Sequence, residues 1–186
     1  MLNNLNGNVM VTLRKITNAN DEEFGKLMQL YTEAFPLEER RDEEQLKKML
    51  IDEPRMSFNA VQCDGKLAGL FVYWDFGTFY YLEHLAIYAE MRNAKIGQQT
   101  LDWMKENLDG LRILEAEPAE TDIATRRVRY YERNGYTVYE KEYLQPAYRA
   151  DGDGCRLWVM CNREDTALNE KLEQLKEAVY YRGRRS

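Results

Sequence analysis

Three groups of residues in this sequence are of types that bind anions or move protons, and the first is a short polar loop. The loop runs from Arg92 to Gly97, follows an apolar strand and leads into an amphipathic helix. A loop of this kind leaves backbone N–H groups unpaired at a helix start, where the helix dipole adds partial positive charge. The pattern therefore predicts a site for an anion such as a phosphate-bearing cofactor, although by itself it is also typical of a plain connection between strand and helix.

The second group is the stretch from Arg126 to Tyr136, which we interpret as a helix end stopped by Gly135. It contains Tyr131. Together the two stretches resemble the GCN5-related N-acetyltransferase (GNAT) family, whose members carry an Arg/Gln-x-x-Gly-x-Gly/Ala loop and a later helix that closes in Tyr-x-x-x-Gly-Phe/Tyr. In this chain Lys95 replaces the first glycine of the loop, whereas Gly97 and the closing helix match the family pattern.

The resemblance implies that acetyl-CoA is the cofactor and that the polar loop holds its diphosphate. Backbone N–H groups of the loop would form the cradle, and the side chains of Arg92 and Lys95 would add positive charge. Because a lysine is expected to keep an ordinary backbone conformation, Lys95 would offer its ammonium in place of the close approach that a glycine allows. The predicted cofactor-binding residues of the loop are Arg92, Asn93, Ala94, Lys95, Ile96, Gly97 and Gln98.

The same resemblance assigns a role to the strand that precedes the loop. Its end, Leu85-Ala86-Ile87, would pair with the pantetheine arm of the cofactor through backbone N–H and C=O groups, as an added strand would. The N–H of Leu85 would also hold the thioester oxygen as negative charge develops on it. A buried strand whose side chains only pack is also compatible with the sequence.

The third group, Glu83 and His84, lies on this strand. Glu83 alternates with Leu85 and Ile87, so the pattern predicts that it shares their face and that His84 points the opposite way. A substrate amine with a pKa of about 10.4 must lose a proton before it attacks, and Glu83 acting through a water is our first candidate for the general base. A structural hydrogen-bonding role for Glu83, and a base role for His84, are alternatives.

Tyr131 is the candidate general acid. In the family, the tyrosine at this position lies beside the thioester sulfur, and its phenol can protonate the departing thiolate. The alternative is that a tyrosine on the apolar side of a helix only packs in the core. The predicted catalytic residues are therefore Tyr131 and Glu83, and we predict no metal site.

Composition excludes several classes of protein. The 186 residues include 26 Lys and Arg against 32 Asp and Glu, and the resulting net charge of −6 argues against a general nucleic-acid binder. No apolar run is long enough to span a membrane and no signal peptide is visible, so we expect a cytoplasmic protein without a membrane partner. Cys63, Cys155 and Cys161 are too scattered for a disulfide framework and are expected to be reduced.

Hydrophobic periodicity predicts the elements that would position these residues. Alternation predicts strands near residues 9–16, 57–63, 66–76, 79–87, 111–116, 136–143 and 156–161. Helical spacing predicts helices near residues 24–35, 42–50, 97–108, 122–134 and from 168 onward. Asp64-Gly65 predicts a tight hairpin turn, because both central residues of such a turn need positive φ. Asp122 is expected to cap the fourth helix.

The fold class that follows is α/β, with a mixed, mostly antiparallel sheet of about seven strands flanked by helices. Within it, a parallel strand–helix–strand unit would carry the cofactor loop. We expect one GNAT-like domain over residues 1–186, with a core of about residues 9–162 and a C-terminal helix and tail over 163–186. The sequence leaves open whether that helix packs on its own domain or on a second copy in a homodimer.

The sequence thus predicts an acyltransferase, an N-acetyltransferase that moves an acetyl group from acetyl-CoA to a primary amine by direct attack in a ternary complex. The acids between Glu38 and Glu44, and the loop from Leu144 to Gly154, are expected to contact a cationic acceptor, either a small molecule or a peptide amine. The alternative is a catalytically inactive module of the same fold that binds acyl-CoA or docks a partner, and Lys95 in the loop favours it.

Overall fold

A computed structural model describes residues 10–92 and 94–182 and shows one mixed sheet of seven strands in the order β1-β2-β3-β4-β5-β7-β6. The strands are β1 (Val11–Lys15), β2 (Met56–Cys63), β3 (Lys66–Asp75), β4 (Phe79–Ile87), β5 (Leu111–Ala116), β6 (Thr137–Gln145) and β7 (Cys155–Cys161). Only β4 and β5 pair in parallel, and all other neighbours are antiparallel. The predicted fold class is confirmed.

Within residues 10–92 and 94–182, five α-helices accompany the sheet. They are α1 (Phe24–Ala34), α2 (Glu43–Asp52), α3 (Ile96–Asn107), α4 (Asp122–Arg133) and α5 (Leu168–Leu175), and α5 continues into a wider π-helical segment, Lys176–Tyr181. Val9, predicted in the first strand, Asn93 and the tail beyond residue 182 lie outside the described residues.

Local signals in the sequence locate most turns and helix ends. Asp64 and Gly65 have φ of 49° and 76°, as the predicted hairpin turn requires. Gly135 ends α4 with φ of 86°. One predicted cap is wrong: the side chain of Thr121, not that of Asp122, accepts the hydrogen bond from the N–H of Ala124, because α4 begins at Asp122 itself.

Two apolar cores cover the two faces of the sheet. One packs α1, α2 and the C-terminal helix against one face, with Leu27, Phe58 and Leu175 fully buried. The other packs α3 and α4 against the opposite face, around Phe71 and Met104. The C-terminal helix is therefore part of the core of its own chain.

A β-bulge in β4 changes which side chains share a face. Val72 of β3 pairs with His84 and the next residue, Tyr73, pairs with Leu82, so Glu83 is the extra residue of the bulge. Leu85 packs in the core under α3 and α4, whereas Glu83 and His84 both contact side chains of the core under α1 and α5. The prediction that Glu83 shares a face with Leu85 and opposes His84 is wrong. The extra residue of the bulge shifts the alternation of side chains between the two faces by one position.

The parallel pair β4 and β5 separates beyond the bulge. Its last paired residues are Leu82 and Leu114. After these, β4 keeps only β3 as a neighbour, and β5 keeps only β7. A gap therefore opens in the sheet between the end of β4 and the end of β5. In the described part of the chain, no helix is both long enough and apolar enough to cross a membrane.

Candidate active site

The gap leaves the backbone edge of β4 from Glu83 to Ile87 without a neighbouring strand on the β5 side. The predicted cofactor-contacting residues Leu85, Ala86 and Ile87 all lie on this edge. An unpaired strand edge offers alternating N–H and C=O groups to an extended ligand. Arg92 closes the end of the edge, where its Nε donates to the carbonyl oxygen of Ile87 at 3.2 Å.

The polar loop after β4 leads into α3, and Lys95 is the residue just before the helix. Lys95 has φ of 58° and ψ of 18°, which is the left-handed region. The expectation that this lysine keeps an ordinary conformation is wrong. A non-glycine residue in that region costs about 1–2 kcal/mol, so the surrounding loop and helix must impose the conformation on it.

The rest of the loop is arranged around the start of α3. Arg92, Ala94 and Lys95 are exposed, Ile96 is buried in the core, and Gly97 and Gln98 are half-buried. The N–H groups of the first helical turn have no partner within the helix and face outward at this end. The loop can therefore hold an anion with backbone groups and with the charge of exposed side chains.

The start of α3 lies against the end of α4, so the two motifs recognised in the sequence meet in space. The side-chain nitrogen of Gln98 donates to Oδ1 of Asn134 at 2.6 Å. A side chain at Gly97 would contact the Tyr130 hydroxyl, 3.6 Å from its Cβ. Because the Gln98 amide is occupied in this way, the backbone of Gln98 is the part that could contact a cofactor.

Tyr131 lies on α4, half-buried on the same face of the sheet as α3. Its ring contacts those of Tyr130 and Tyr136, with centroids 5.6 Å and 6.0 Å away. In the described residues its hydroxyl makes no hydrogen bond. Burial raises the pKa of this phenol, and nearby Arg127 opposes the rise only in part. The group is therefore protonated at neutral pH and free to donate.

Glu83 forms a buried ion pair with Arg41. Its Oε1 accepts from Arg41 and from the Tyr148 hydroxyl at 2.9 Å, and its Oε2 accepts from Nε1 of Trp74 at 2.8 Å. Burial favours the neutral carboxyl, but the charge of Arg41 and the hydrogen bonds outweigh it, and the pKa of Glu83 lies below its ordinary value. These contacts favour the structural hydrogen-bonding alternative for Glu83 over a base role.

His84, the rival base, is buried beside the aromatic rings of Tyr31 and Phe35. Its Nε2 lies 2.8 Å from the carbonyl oxygen of Glu39. Burial lowers its pKa, so the ring is neutral at physiological pH. The contacts of His84 tie β4 to the connection between α1 and α2.

Sequence reasoning missed Glu115, which lies on β5 directly after the last residue that pairs with β4. Its Oε2 accepts from the hydroxyls of Tyr81 and Tyr180 at 2.9 Å and 2.6 Å, and from Nε2 of Gln145 at 2.5 Å. The signal was present, because Glu115 continues the alternation of Leu111 and Ile113 toward the core, and a carboxyl at an apolar position requires a reason.

Two more acids lie near the end of β5. Glu39 is half-buried in the connection between α1 and α2; burial, and then the charge of Glu117, raise its pKa. Glu117 follows β5 and forms an ion pair with Arg127 of α4. Burial raises the pKa of the Cys155 thiol at the start of β7, and the charges of both acids raise it further. Glu39, Glu117 and Arg127 therefore form a charged cluster near the end of β5.

Comparisons with known proteins identify the family to which this chain belongs. The family model described as the acetyltransferase (GNAT) family matches residues 24–136. A solved structure described as a GNAT-family acetyltransferase from Bacteroides thetaiotaomicron is 31% identical, with 91% of this chain and 98% of that chain covered and a TM-score of 0.86. The chain belongs to the GNAT acetyltransferase family.

Two other solved acetyltransferase structures share the fold at lower identity. An aminoglycoside 6′-N-acetyltransferase complexed with coenzyme A is 19% identical over 83% of this chain and 99% of that chain, with a TM-score of 0.56. A GNAT acetyltransferase from Elizabethkingia anophelis with acetyl-CoA bound is 13% identical over 83% and 98%, with a TM-score of 0.53. Among curated protein sequences, none matches this chain.

Proposed function

We propose that this protein is an acetyl-CoA-dependent N-acetyltransferase that moves the acetyl group directly to a primary amine in a ternary complex. The observation that carries the proposal is the open edge of β4. This edge leads into a loop that could bind an anion at the start of α3, and it has α3 and α4 on one face of the sheet and α1, α2 and the C-terminal helix on the other. Membership of the acetyltransferase family supports the reaction type. Structures of other members with coenzyme A or acetyl-CoA support the cofactor.

The cofactor would lie on the α3 and α4 side. Its diphosphate would accept hydrogen bonds from backbone N–H groups between Ala94 and Gln98, with the charges of Arg92 and Lys95 nearby. Its extended arm would pair with the edge of β4 from Leu85 to Ile87. The left-handed conformation of Lys95 supports this arrangement, because the backbone there takes the form that the family's glycine permits.

Two groups would act on the thioester that the cofactor supplies. The N–H of Leu85 would donate to the thioester oxygen and stabilise the negative charge that develops during attack. Tyr131 would give its proton to the departing sulfur, because its hydroxyl is protonated and uncommitted. Both lie on the cofactor side of the gap, and the acceptor amine would attack the thioester from the other side. The base role predicted for Glu83 stays a prediction, and its contacts argue for a supporting role.

The test combines cofactor binding with turnover. We expect acetyl-CoA to raise the melting temperature of the full chain, and a panel of primary amines to release free thiol from acetyl-CoA. A Gly97→Asp variant should stay folded, since an acid in the first turn of a helix is favourable, but should bind acetyl-CoA at least about tenfold more weakly through charge repulsion.

A matched control is Gly25→Asp, at the same position of α1, where an added side chain meets nothing within 4 Å. It should leave cofactor binding unchanged. If acetyl-CoA binds neither the wild type nor the control, the proposed function is wrong. Binding without thiol release for any amine would instead favour the catalytically inactive module.

A further inference from the structure

A cavity of about 400 Å³ lies between α3, the end of α4 and the start of β5. Three cationic side chains line it, those of Lys105, Arg112 and Arg133, against one acid, Asp102. The cavity therefore has an excess of two positive charges, three minus one, whereas the whole chain has a net charge of −6. An excess of positive charge in a concave site favours a negatively charged ligand.

Arg112 is the buried one of the three cations. It is 8% exposed, whereas Lys105 and Arg133 are exposed. Its backbone is fixed by Asn162, whose Oδ1 accepts from the N–H of Arg112 at 2.6 Å. One arm of its guanidinium is fixed as well, because Nη1 donates to the carbonyl oxygen of Leu108 at 2.7 Å. The cavity therefore leads from exposed cations to a buried cation that is held in position.

No carboxylate neutralises this buried arginine. Among the ion pairs of the described residues none includes Arg112, and its Nε is covered and has no acceptor. Its neighbour Tyr136 is a phenol, and burial raises the pKa of that group, so it supplies no negative charge at neutral pH. A buried charge without a counter-charge and a buried donor without an acceptor both cost free energy. A bound anion would remove both costs.

The contact with Leu108 gives Arg112 one structural task. Leu108 follows the last residue of α3, and a cation at the C-terminal end of a helix is stabilised by the helix dipole. That contact uses one of the five N–H donors of the guanidinium and provides only a partial negative charge. The Nε edge, which forms paired hydrogen bonds with oxyanions, is left without an acceptor. Helix capping therefore accounts for one part of this side chain.

The charges at the exposed end of the cavity select the kind of anion. Within residues 10–92 and 94–182, neither Lys105 nor Arg133 takes part in an ion pair. Asp102 accepts from the amide nitrogen of Gln98 at 3.0 Å. Two positive charges thus remain to be balanced. A phosphate monoester carries about −1.5 to −2 at neutral pH and matches this excess, whereas a monocarboxylate carries one charge.

We propose that this cavity binds a phosphate group as a dianion, with Arg112 as its buried anchor and with Lys105 and Arg133 at its exposed end. The ligand class is inorganic phosphate or a small phosphate monoester. This site differs from the diphosphate site proposed at the start of α3. At a rise of about 1.5 Å per residue, Leu108, which contacts Arg112, lies roughly 18 Å from Ile96 at that start.

A bound cofactor would be a second source of phosphate. Coenzyme A carries a phosphate monoester on the 3′ oxygen of its ribose. Gln98, in the first turn of α3, lines the cavity, so a cofactor held at the loop would be near its exposed end. A 3′-phosphate inside the cavity would exclude a free anion. Competition between coenzyme A and phosphate therefore distinguishes the two sources.

The first experiment measures anion binding to the full chain by calorimetry. Inorganic phosphate, glycerol 3-phosphate and acetate are titrated at pH 7.5, with sodium chloride holding the ionic strength constant because salt screens exposed charges. We expect both phosphates to bind at least tenfold more tightly than acetate. The phosphate titration is repeated with saturating coenzyme A and with saturating 3′-dephospho-coenzyme A, and the phosphate affinity should stay within twofold in both.

The second experiment compares variants of the arginines. Arg112→Gln should weaken phosphate binding at least tenfold, and Arg133→Gln should weaken it about threefold. Arg126→Gln is the matched control, because Arg126 is an exposed arginine of the same helix that does not line the cavity. Phosphate should raise the melting temperature of the wild type and of the control, but not that of Arg112→Gln. A purely structural role would lower the melting temperature of Arg112→Gln equally with and without phosphate.

Three results would overturn the proposal. The first is phosphate binding no tighter than acetate binding, and the second is equal phosphate binding by the wild type and Arg112→Gln. The third is a loss of phosphate binding with coenzyme A but not with its 3′-dephospho form, which would assign the cavity to the cofactor. Should Arg112→Gln not fold, the double variant Lys105→Gln and Arg133→Gln changes exposed residues alone, and undiminished phosphate binding there would also contradict the site.

Discussion

At the scale of single residues, the conformation of Lys95 and the hydroxyl of Tyr131 define the cofactor side of the candidate site. Lys95 takes a left-handed conformation that its side chain does not favour, and Tyr131 keeps an uncommitted hydroxyl on a half-buried ring. Local strain and unpaired polar groups both cost free energy, and they are typical of residues that contact a ligand. Each can be tested by one substitution.

Replacing Tyr131 by phenylalanine should lower kcat about 100-fold, because the departing sulfur loses its proton donor. Acetyl-CoA affinity should stay within about twofold, since the ring remains and makes its packing contacts. Free-thiol release and calorimetry measure the two quantities. Tyr139→Phe, on an exposed ring of β6, is the control, and equal turnover in both variants would rule out the acid role.

Replacing Lys95 by glycine should raise the free energy of unfolding by about 1 kcal/mol, because glycine adopts positive φ without strain. The same change at Lys48, an exposed residue inside α2, should lower it by about 1 kcal/mol. Urea denaturation of both variants measures the difference. A loss of stability in Lys95→Gly would show that the lysine side chain, not the backbone, dominates at this position.

At the scale of elements, the site depends on where β4 stops pairing with β5 and on what fills the space beside the bulge. Arg41, from the connection between α1 and α2, enters that space. It binds Glu83 of β4 and donates to the carbonyl oxygen of Val179 at 2.8 Å, and it stacks over the ring of Tyr148 at 4.7 Å. One cation thus joins the α1–α2 connection, β4, the loop before β7 and the C-terminal segment.

Replacing Arg41 by methionine should lower the free energy of unfolding by about 3–5 kcal/mol, because Glu83 would remain buried without its counter-charge. Adding Glu83→Gln should recover part of the loss. Arg163→Met, which breaks an exposed pair with Asp109, is the control and should change stability by less than about 1 kcal/mol.

The pH dependence provides an independent check of the same pair. The folded pKa of Glu83 lies below its usual 4.5, so its contribution to stability is present above that pH and is lost as pH falls through the folded pKa. In Arg41→Met the uncompensated carboxyl should have a raised pKa, and acid should stabilise the variant relative to neutral pH. A variant that loses stability in acid as the wild type does would contradict this account.

At the scale of the whole molecule, the sheet is covered on both faces, and the C-terminal helix completes one of them. Leu168, Leu172 and Leu175 are buried in the core that also contains α1. Tyr180, just after this helix, hydrogen-bonds Glu115. The last segment of the chain therefore contributes both to the core and to the surroundings of Glu115.

Replacing Leu175 by alanine should lower the free energy of unfolding by about 2–5 kcal/mol, because the side chain is fully buried and leaves a cavity. Leu144→Ala, on a side chain 62% exposed, should change it by less than about 0.5 kcal/mol. Urea denaturation measures both. A loss below about 1 kcal/mol for Leu175 would mean that the C-terminal helix adds little to the core.

The sequence by itself determined the elements and the family. Periodicity and turn residues such as Asp64, Gly65 and Gly135 act locally, so strands, helices and the hairpin could be predicted from neighbours along the chain. The loop and helix motifs pointed to the acetyltransferase family, and the family match confirmed it.

Only the tertiary structure decided which polar groups face the gap. The bulge moved Glu83 to the other face, where an arginine distant in sequence neutralises it. Glu115 acquired its environment from tyrosines on β4 and the C-terminal segment and from a glutamine on β6. Contacts between residues far apart in the chain depend on packing and register, which local patterns do not encode. For that reason the cofactor motif could be recognised in the sequence, whereas the surroundings of Glu83 and Glu115 could not be predicted from it.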